Sequence, residues 1–305
     1  MMGLSGLIRK QGQFLLNNER YAMLHAAVLA LLPYTAWLSV ASVALITLRR
    51  GWRKGALLLI PAFGAYFALS YSSTTAVVAL ISALLVFMPA YLAACVLRLT
   101  ISWRAVAGVF FLQVVVVVML LQMYMPEFIS AQYLYIQAAL RELQSDSPLL
   151  MLINNKTGLN QAVLGSYLLG LQTIGIVFSA CLSLMLARLV QSQLFCPDGF
   201  KREMLNFRGE KIDLLLLILL FIAANQQNVF AMSLLPIVLF YFMLTGLSLS
   251  FNVLSKQRPV RLMILSIASL LLLPFVMLPV YVIFGSLDSL FNLRLYLLSD
   301  AGKTI

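Results

Sequence analysis

The chain has 305 residues, 62% of them apolar and only 10% charged, with a formal net charge of +11 and a mean hydropathy of +0.98. An ordinary soluble protein carries about 25% charged residues, so a soluble domain of this size is excluded. The cations point to cytoplasmic loops and anionic lipid rather than to nucleic acid, because they fall in short connectors between long apolar runs.

In lipid every backbone N–H and C=O must be paired within the protein, which leaves helices or closed barrels. Barrel strands alternate apolar and polar residues. The runs Val114–Leu121 and Leu214–Phe221 do not alternate. The fold class is therefore an all-α membrane protein, a polytopic helical bundle of about eight transmembrane helices. Residues 21–290 form the transmembrane domain, with tails at 1–20 and 291–305. A span needs about 20 apolar residues, and the runs place spans near Tyr21–Thr47, Gly55–Tyr71, Ala76–Leu97, Ala105–Met123, Ala162–Ala187, Ile212–Ala224, Val229–Leu254 and Leu262–Leu287.

The first run follows a polar stretch and ends at Arg49, Arg50, Arg53 and Lys54, so it does not read as a cleavable signal. Pro33 sits near its middle. Proline removes a helix hydrogen bond and clashes with the preceding turn. The run reads either as one kinked span or as two half-helices that enter and leave on one side. The sixth run is short, and Asn225-Gln226-Gln227-Asn228 after it either extends it or forms a tight turn.

Connectors 49–54, 98–104, 188–211 and 255–261 carry four, two, five and three Lys and Arg, fourteen in all. The alternating connectors 72–75, 127–161 and 225–228 carry none, two and none. This asymmetry turns the first set toward the cytoplasm of a bacterial inner membrane. Eight spans then put both termini outside, against the basic Arg9, Lys10 and Arg20 in the first tail.

The outer connector 124–161 repeats Ile129, Tyr133, Ile136, Leu140 and Leu143 at helical spacing, as an amphipathic helix on the membrane surface does. It serves as a lid over an outward-open cavity or simply fills a loop. Asn155-Lys156-Thr157 matches a glycosylation sequon, a common chance pattern. The cytoplasmic connector 188–211 holds a Pro197-Asp198-Gly199 turn. Apolar Phe200, Met204 and Phe207 follow at helical spacing opposite Lys201, Arg202 and Arg208, as in a short surface helix on lipid or on a soluble partner.

Few residues carry recognisable chemistry. Cys95, Cys181 and Cys196 form no disulfide or metal pattern. No phosphate-binding loop, zinc motif or paired acidic motif is present, and no cofactor or enzymatic activity is expected. His25 lies in the first run, close enough to the tail to reach the interface. Glu127 and Asp288 fall near helix ends, so no intramembrane carboxylate stands out. Amides at membrane depth are Gln113, Gln172, Asn225 and Gln226, and they mark a candidate ligand cavity. A buried amide without a partner costs about 1–3 kcal/mol, so each must meet a helix, water or a solute.

Several stretches resemble the YybS-like family of uncharacterised bacterial membrane proteins. They are Ala187-Arg188 with Gln191, then Pro197, Gly199, Phe200, Glu203 and Arg208. Leu32-Pro33 with Leu48-Arg49-Arg50-Gly51, and Phe284 to Arg294, extend the similarity over most of the chain. Gly246–Phe251 departs from it in lacking a histidine. The family is distantly similar to the S components of energy-coupling-factor transporters, which implies a small helical bundle that binds a small-molecule solute. It further implies a coupling subunit docked on the small-residue face Ala22, Ala26 and Ala30. The alternative is a scaffold without a ligand that holds a soluble cytoplasmic protein through 188–211, using Arg188, Gln191, Pro197, Gly199, Phe200, Glu203 and Arg208.

Overall fold

The computed structural model describes residues 4–125, 161–254 and 259–294, with residues 127, 128, 134 and 138 between them. Among these the ordered elements are helices. They are α1 (Leu4–Asn17), α2 (Glu19–Leu31), α3 (Ala36–Arg50), α4 (Trp52–Tyr71), α5 (Ala76–Thr100) and α6 (Trp103–Tyr124), then α7 (Gln161–Phe195), α8 (Gly199–Leu205), α9 (Lys211–Asn225), α10 (Val229–Leu254), α11 (Pro259–Leu272) and α12 (Pro274–Phe291). Six are long and apolar enough to cross a membrane: α4, α5, α6, α7, α10 and α12. The chain is thus an all-α membrane protein, but not one of eight continuous spans.

Two of the expected spans are broken. The first apolar run consists of α2, 13 residues long, and α3, 15 residues long. At 1.5 Å per residue each covers roughly 20 Å, short of the hydrocarbon core. Of the two readings of Pro33, the half-helices are what the structure contains. Tyr34 at the turn takes φ 63°, the left-handed region. The hydroxyl of Thr35 donates to the carbonyls of Leu29 (2.6 Å) and Leu32 (3.2 Å). The turn thereby pairs backbone groups that the break would leave open. The last run is likewise interrupted, at Leu273, into α11 and α12. Tyr281 of α12 donates to the Ser266 carbonyl of α11 at 3.2 Å, so the two lie side by side. The tail 1–20 is also not extended: it holds α1. The outer connector expected to be amphipathic falls almost wholly outside the described residues.

The chain divides into two compact units, Met1–Phe110 with Gly175–Asn206, and Phe111–Ile174 with Phe207–Ile305. In the first, α3 is the core. Ser39 to Leu48 are buried without exception, as a helix apolar on every side must be. Its hydroxyls are absorbed by backbone: Ser39 donates to the Ala26 carbonyl at 2.7 Å and Thr47 to Val43 at 2.8 Å. Gly51, at φ 102°, turns α3 into α4, and Gly55 brings α4 directly against Thr47. Arg98 of α5 donates to the Thr47 carbonyl at 3.2 Å and covers the end of α3. Gly12 of α1 packs against Val190 and Leu194 of α7.

In the second unit the core is the crossing of α10 and α12. Gly246 faces the backbone of Tyr281 and Gly285, and Gly285 faces the Phe242 carbonyl and Thr245. Small residues let membrane helices approach to backbone contact. A smaller cluster of Ala224, Ala231 and Leu235 joins α9 to α10. Asn228 caps α10, its Oδ1 accepting from the amides of Phe230 (3.0 Å) and Ala231 (3.1 Å). An Asn at this position is a strong helix start.

Candidate functional site

Within the second unit, the end of α12 carries a buried ionic cluster. Asp288 is 0% exposed and Arg294 is 8% exposed. Arg294 Nε donates to Asp288 Oδ2 at 2.9 Å, while its Nη2 donates to the Phe207 carbonyl (2.7 Å) and to Ser248 Oγ (3.3 Å). Arg208 donates to the backbone carbonyls of Asp288 (2.9 Å) and Ser289 (3.3 Å). One side-chain atom of this network is left over: Asp288 Oδ1 is buried without a hydrogen-bond partner among the described residues. Asp288 is near a helix end, but the return of the chain through Arg294 and the close approach of Gly209 to Ser289 bury it completely. The sequence signal was the acid–base pair six residues apart, which reads as an ordinary helix terminus until the fold closes over it.

Within the first unit, the connector after α7 forms a clamp. Arg188 pairs with Glu203 at 2.5 Å and donates to Gln191 Oε1 at 2.7 Å. Trp103 Nε1 donates to the same carboxylate at 3.0 Å, and its ring meets Phe200 edge-on at 6.1 Å. These contacts hold α8 onto α6 and α7. Four residues proposed for partner docking, Arg188, Gln191, Phe200 and Glu203, are therefore occupied in folding the connector on itself. Arg208 is similarly engaged in the second unit. Pro197 is exposed in the turn, and Gly199 opens α8. Phe195, Cys196, Asp198, Lys201 and Arg202 are exposed beside them. Arg49 covers the Phe195 ring at 3.9 Å.

The small-residue face of the first helix is not a free surface. Ala22, Ala26 and Ala30 are 1%, 0% and 1% exposed, inside the packing of α2 with α3 and α4. Small residues allow close approach, and the chain's own helices use it here. His25 lies 3.4 Å from both Gln11 Nε2 and Ser42 Oγ. Ser42 also donates to the Leu38 carbonyl at 3.0 Å. No acidic side chain is hydrogen-bonded to His25 among the described residues.

Asn225 and Gln226 are exposed, where α9 turns into α10 at Gln227, φ 59°. Gln172 is exposed on α7. Gln113 of α6 differs: both of its amide atoms are buried without a partner among the described residues. Those residues also contain no group of three or more His, Cys, Asp or Glu arranged to hold a metal. No family model matches the chain, and no curated protein or solved structure matches it either.

Proposed function

We propose that this chain is a polytopic solute-binding protein of the bacterial cytoplasmic membrane, working in the manner of an S component and related to the YybS-like family. The observation that supports it is Gln113. A donor and an acceptor are buried on one side chain with neither satisfied, at a cost of about 1–3 kcal/mol for an unpaired amide. A polar solute with its own donor and acceptor would relieve that cost. A coupling subunit would have to dock elsewhere than on Ala22, Ala26 and Ala30.

The connectors 49–54, 98–104, 188–211 and 255–261 carry fourteen of the 21 Lys and Arg, an excess that supports a cytoplasmic position for them.

The test is purification from native membranes in mild detergent with mass spectrometry of bound small molecules. A stoichiometric metabolite that disappears in a folded Gln113→Leu variant is the expected result. A metabolite retained by that variant, or none at all in the wild type, sinks the reading. The scaffold reading is favoured by the exposed turn at 195–198 with Lys201 and Arg202, held rigid by the clamp beneath. It predicts a soluble partner lost when Lys201 and Arg202 are changed to Glu; Phe200 and Arg208 are poorer probes because both support the fold.

A further inference from the structure

The structure assigns the α3–α4 turn and the outer face of α4 to one anionic phospholipid, with its phosphate on Arg53 and Arg98 and an acyl chain along α4. This inference stands apart from solute binding at Gln113.

The two units differ in charge. Residues 1–110 and 175–206 hold twelve Lys and Arg against three Asp and Glu, whereas the other unit holds nine against seven. The three acids of the first unit do not neutralise the α3–α4 turn. Glu19 binds Arg50 and Lys54, and Glu203 binds Arg188. Asp198 is exposed before α8. Arg49, Arg53 and Arg98 form no ion pair among the described residues.

Arg53 and Arg98 flank Gly51. A Cβ on Gly51 would sit 2.5 Å from Arg98 Nη1, and that nitrogen donates to the Thr47 carbonyl at 3.2 Å. Arg53 follows two residues later, at most about 8 Å away between Cα atoms. Its guanidinium stands 5.2 Å from the centre of the exposed Trp52 ring. Tyr91, one helical face with Arg98 on α5, donates to the Trp52 carbonyl at 3.0 Å, so α5 lies beside the first turn of α4. An indole face attracts a guanidinium, and arginine offers phosphate two parallel donors. Both cations are thus placed before a ligand arrives.

The surface below them separates a lipid from a soluble phosphate. Of the six apolar helices α4 is the least covered by the chain itself, 17% against 61% for α10. Arg53, Leu57, Ile60, Gly64, Ala68 and Tyr71 are all exposed, at the three- and four-residue spacing of one helical face. From Arg53 to Tyr71 the helix rises about 27 Å, close to the roughly 30 Å of a hydrocarbon core. A cation marks one end and a tyrosine the other, as side chains at the two interfaces do. At Gly64 none of the described residues comes within 4 Å of where a Cβ would be, so the stripe narrows to bare backbone on which a chain can rest. Basic pockets at membrane helices take anionic headgroups. Here the apolar stripe continues the pocket, as the acyl chain continues the phosphate; a free phosphate would leave the stripe unused.

The test is native mass spectrometry of the full-length protein in detergent micelles, titrated with phosphatidylglycerol or with phosphatidylcholine of the same acyl chains. The expected result is one phosphatidylglycerol bound about tenfold more tightly, the worth of one charge-assisted hydrogen bond. Arg53→Gln alters an exposed side chain and should abolish the preference. Gly64→Leu should weaken both lipids and keep the preference. Arg9→Gln with Lys10→Gln removes two exposed cations from α1 and should change nothing. Equal affinity for the two lipids overturns the proposal, as does a preference that survives Arg53→Gln. A preference lost equally in the α1 pair overturns it in favour of diffuse attraction. Inorganic phosphate that displaces the lipid as readily as phosphatidylglycerol does would assign the turn to a soluble anion instead.

Discussion

The two units solve the same problem, polar groups inside an apolar core, in opposite ways. In the first, α3 carries Ser39, Ser42 and Thr47, and each hydroxyl closes on a nearby backbone carbonyl. Nothing is charged along the buried stretch. In the second, α10 and α12 meet at glycines and end in a buried carboxylate and guanidinium with one oxygen unpaired. The first arrangement is neutral throughout. The second is balanced on an ion pair, and replacing or breaking such pairs has very different consequences.

Five substitutions test how deep that difference runs. Arg294→Ala strands a fully buried carboxylate and should cost about 3–5 kcal/mol. Adding Asp288→Asn should recover part of the loss, because a neutral amide needs no cation. Thermal unfolding of the detergent-solubilised protein reads both. Gly285→Val comes next, at about 3 kcal/mol, the upper end of ordinary overpacking. Gly55→Val in the first unit should cost less, since Thr47 presents its side chain first whereas Gly285 meets a backbone carbonyl. Equal losses would erase the contrast between the two crossings. Glu203→Gln removes a half-buried charge-assisted contact and should cost about 2 kcal/mol, read as earlier proteolysis at Lys201 or Arg202.

The smallest effect belongs to Glu19. Lys54 hydrogen-bonds its carboxylate, and the charges of Lys54 and Arg50 add to that, holding it below the usual carboxylate range. A lowered folded value means the contribution is present above the unfolded carboxylate range and fades as pH falls through the folded value. The group is exposed, so Glu19→Gln should slightly flatten the acid side of the stability profile and leave neutral pH almost unchanged.

Helices were legible because long apolar runs without alternation permit nothing else in lipid. Their breaks were not. Pro61, Pro89, Pro236 and Pro279 all sit inside helices, while Pro33 and Pro274 sit at interruptions, so proline alone does not decide. At Pro33 the discriminating partners are Tyr34, which accepts a left-handed backbone, and Thr35, which re-pairs the carbonyls of Leu29 and Leu32. Arg9, Lys10 and Arg20 also opposed an outside N-terminal stretch. The motif around Phe284 to Arg294 and the motif ending at Arg208 were each visible, 80 residues apart between Arg208 and Asp288. Only the fold shows them to be one cluster. Of the four candidate amides, Gln113 has both amide atoms buried without a partner among the described residues, while Gln122 and Gln193, which were not candidates, each have one; depth along a run does not say which side of a helix meets its neighbours.

The α2–α3 turn has a consequence for how the protein reaches its place. Its tip, Leu31 to Ala36, contains no charge, and its open carbonyls are served by Thr35 from within. Glu19, Arg20, Arg49 and Arg50 all lie at the opposite end. Such a hairpin can be delivered into the bilayer tip first, as one piece. A tip without ionised side chains enters hydrocarbon at lower cost than a charged one would.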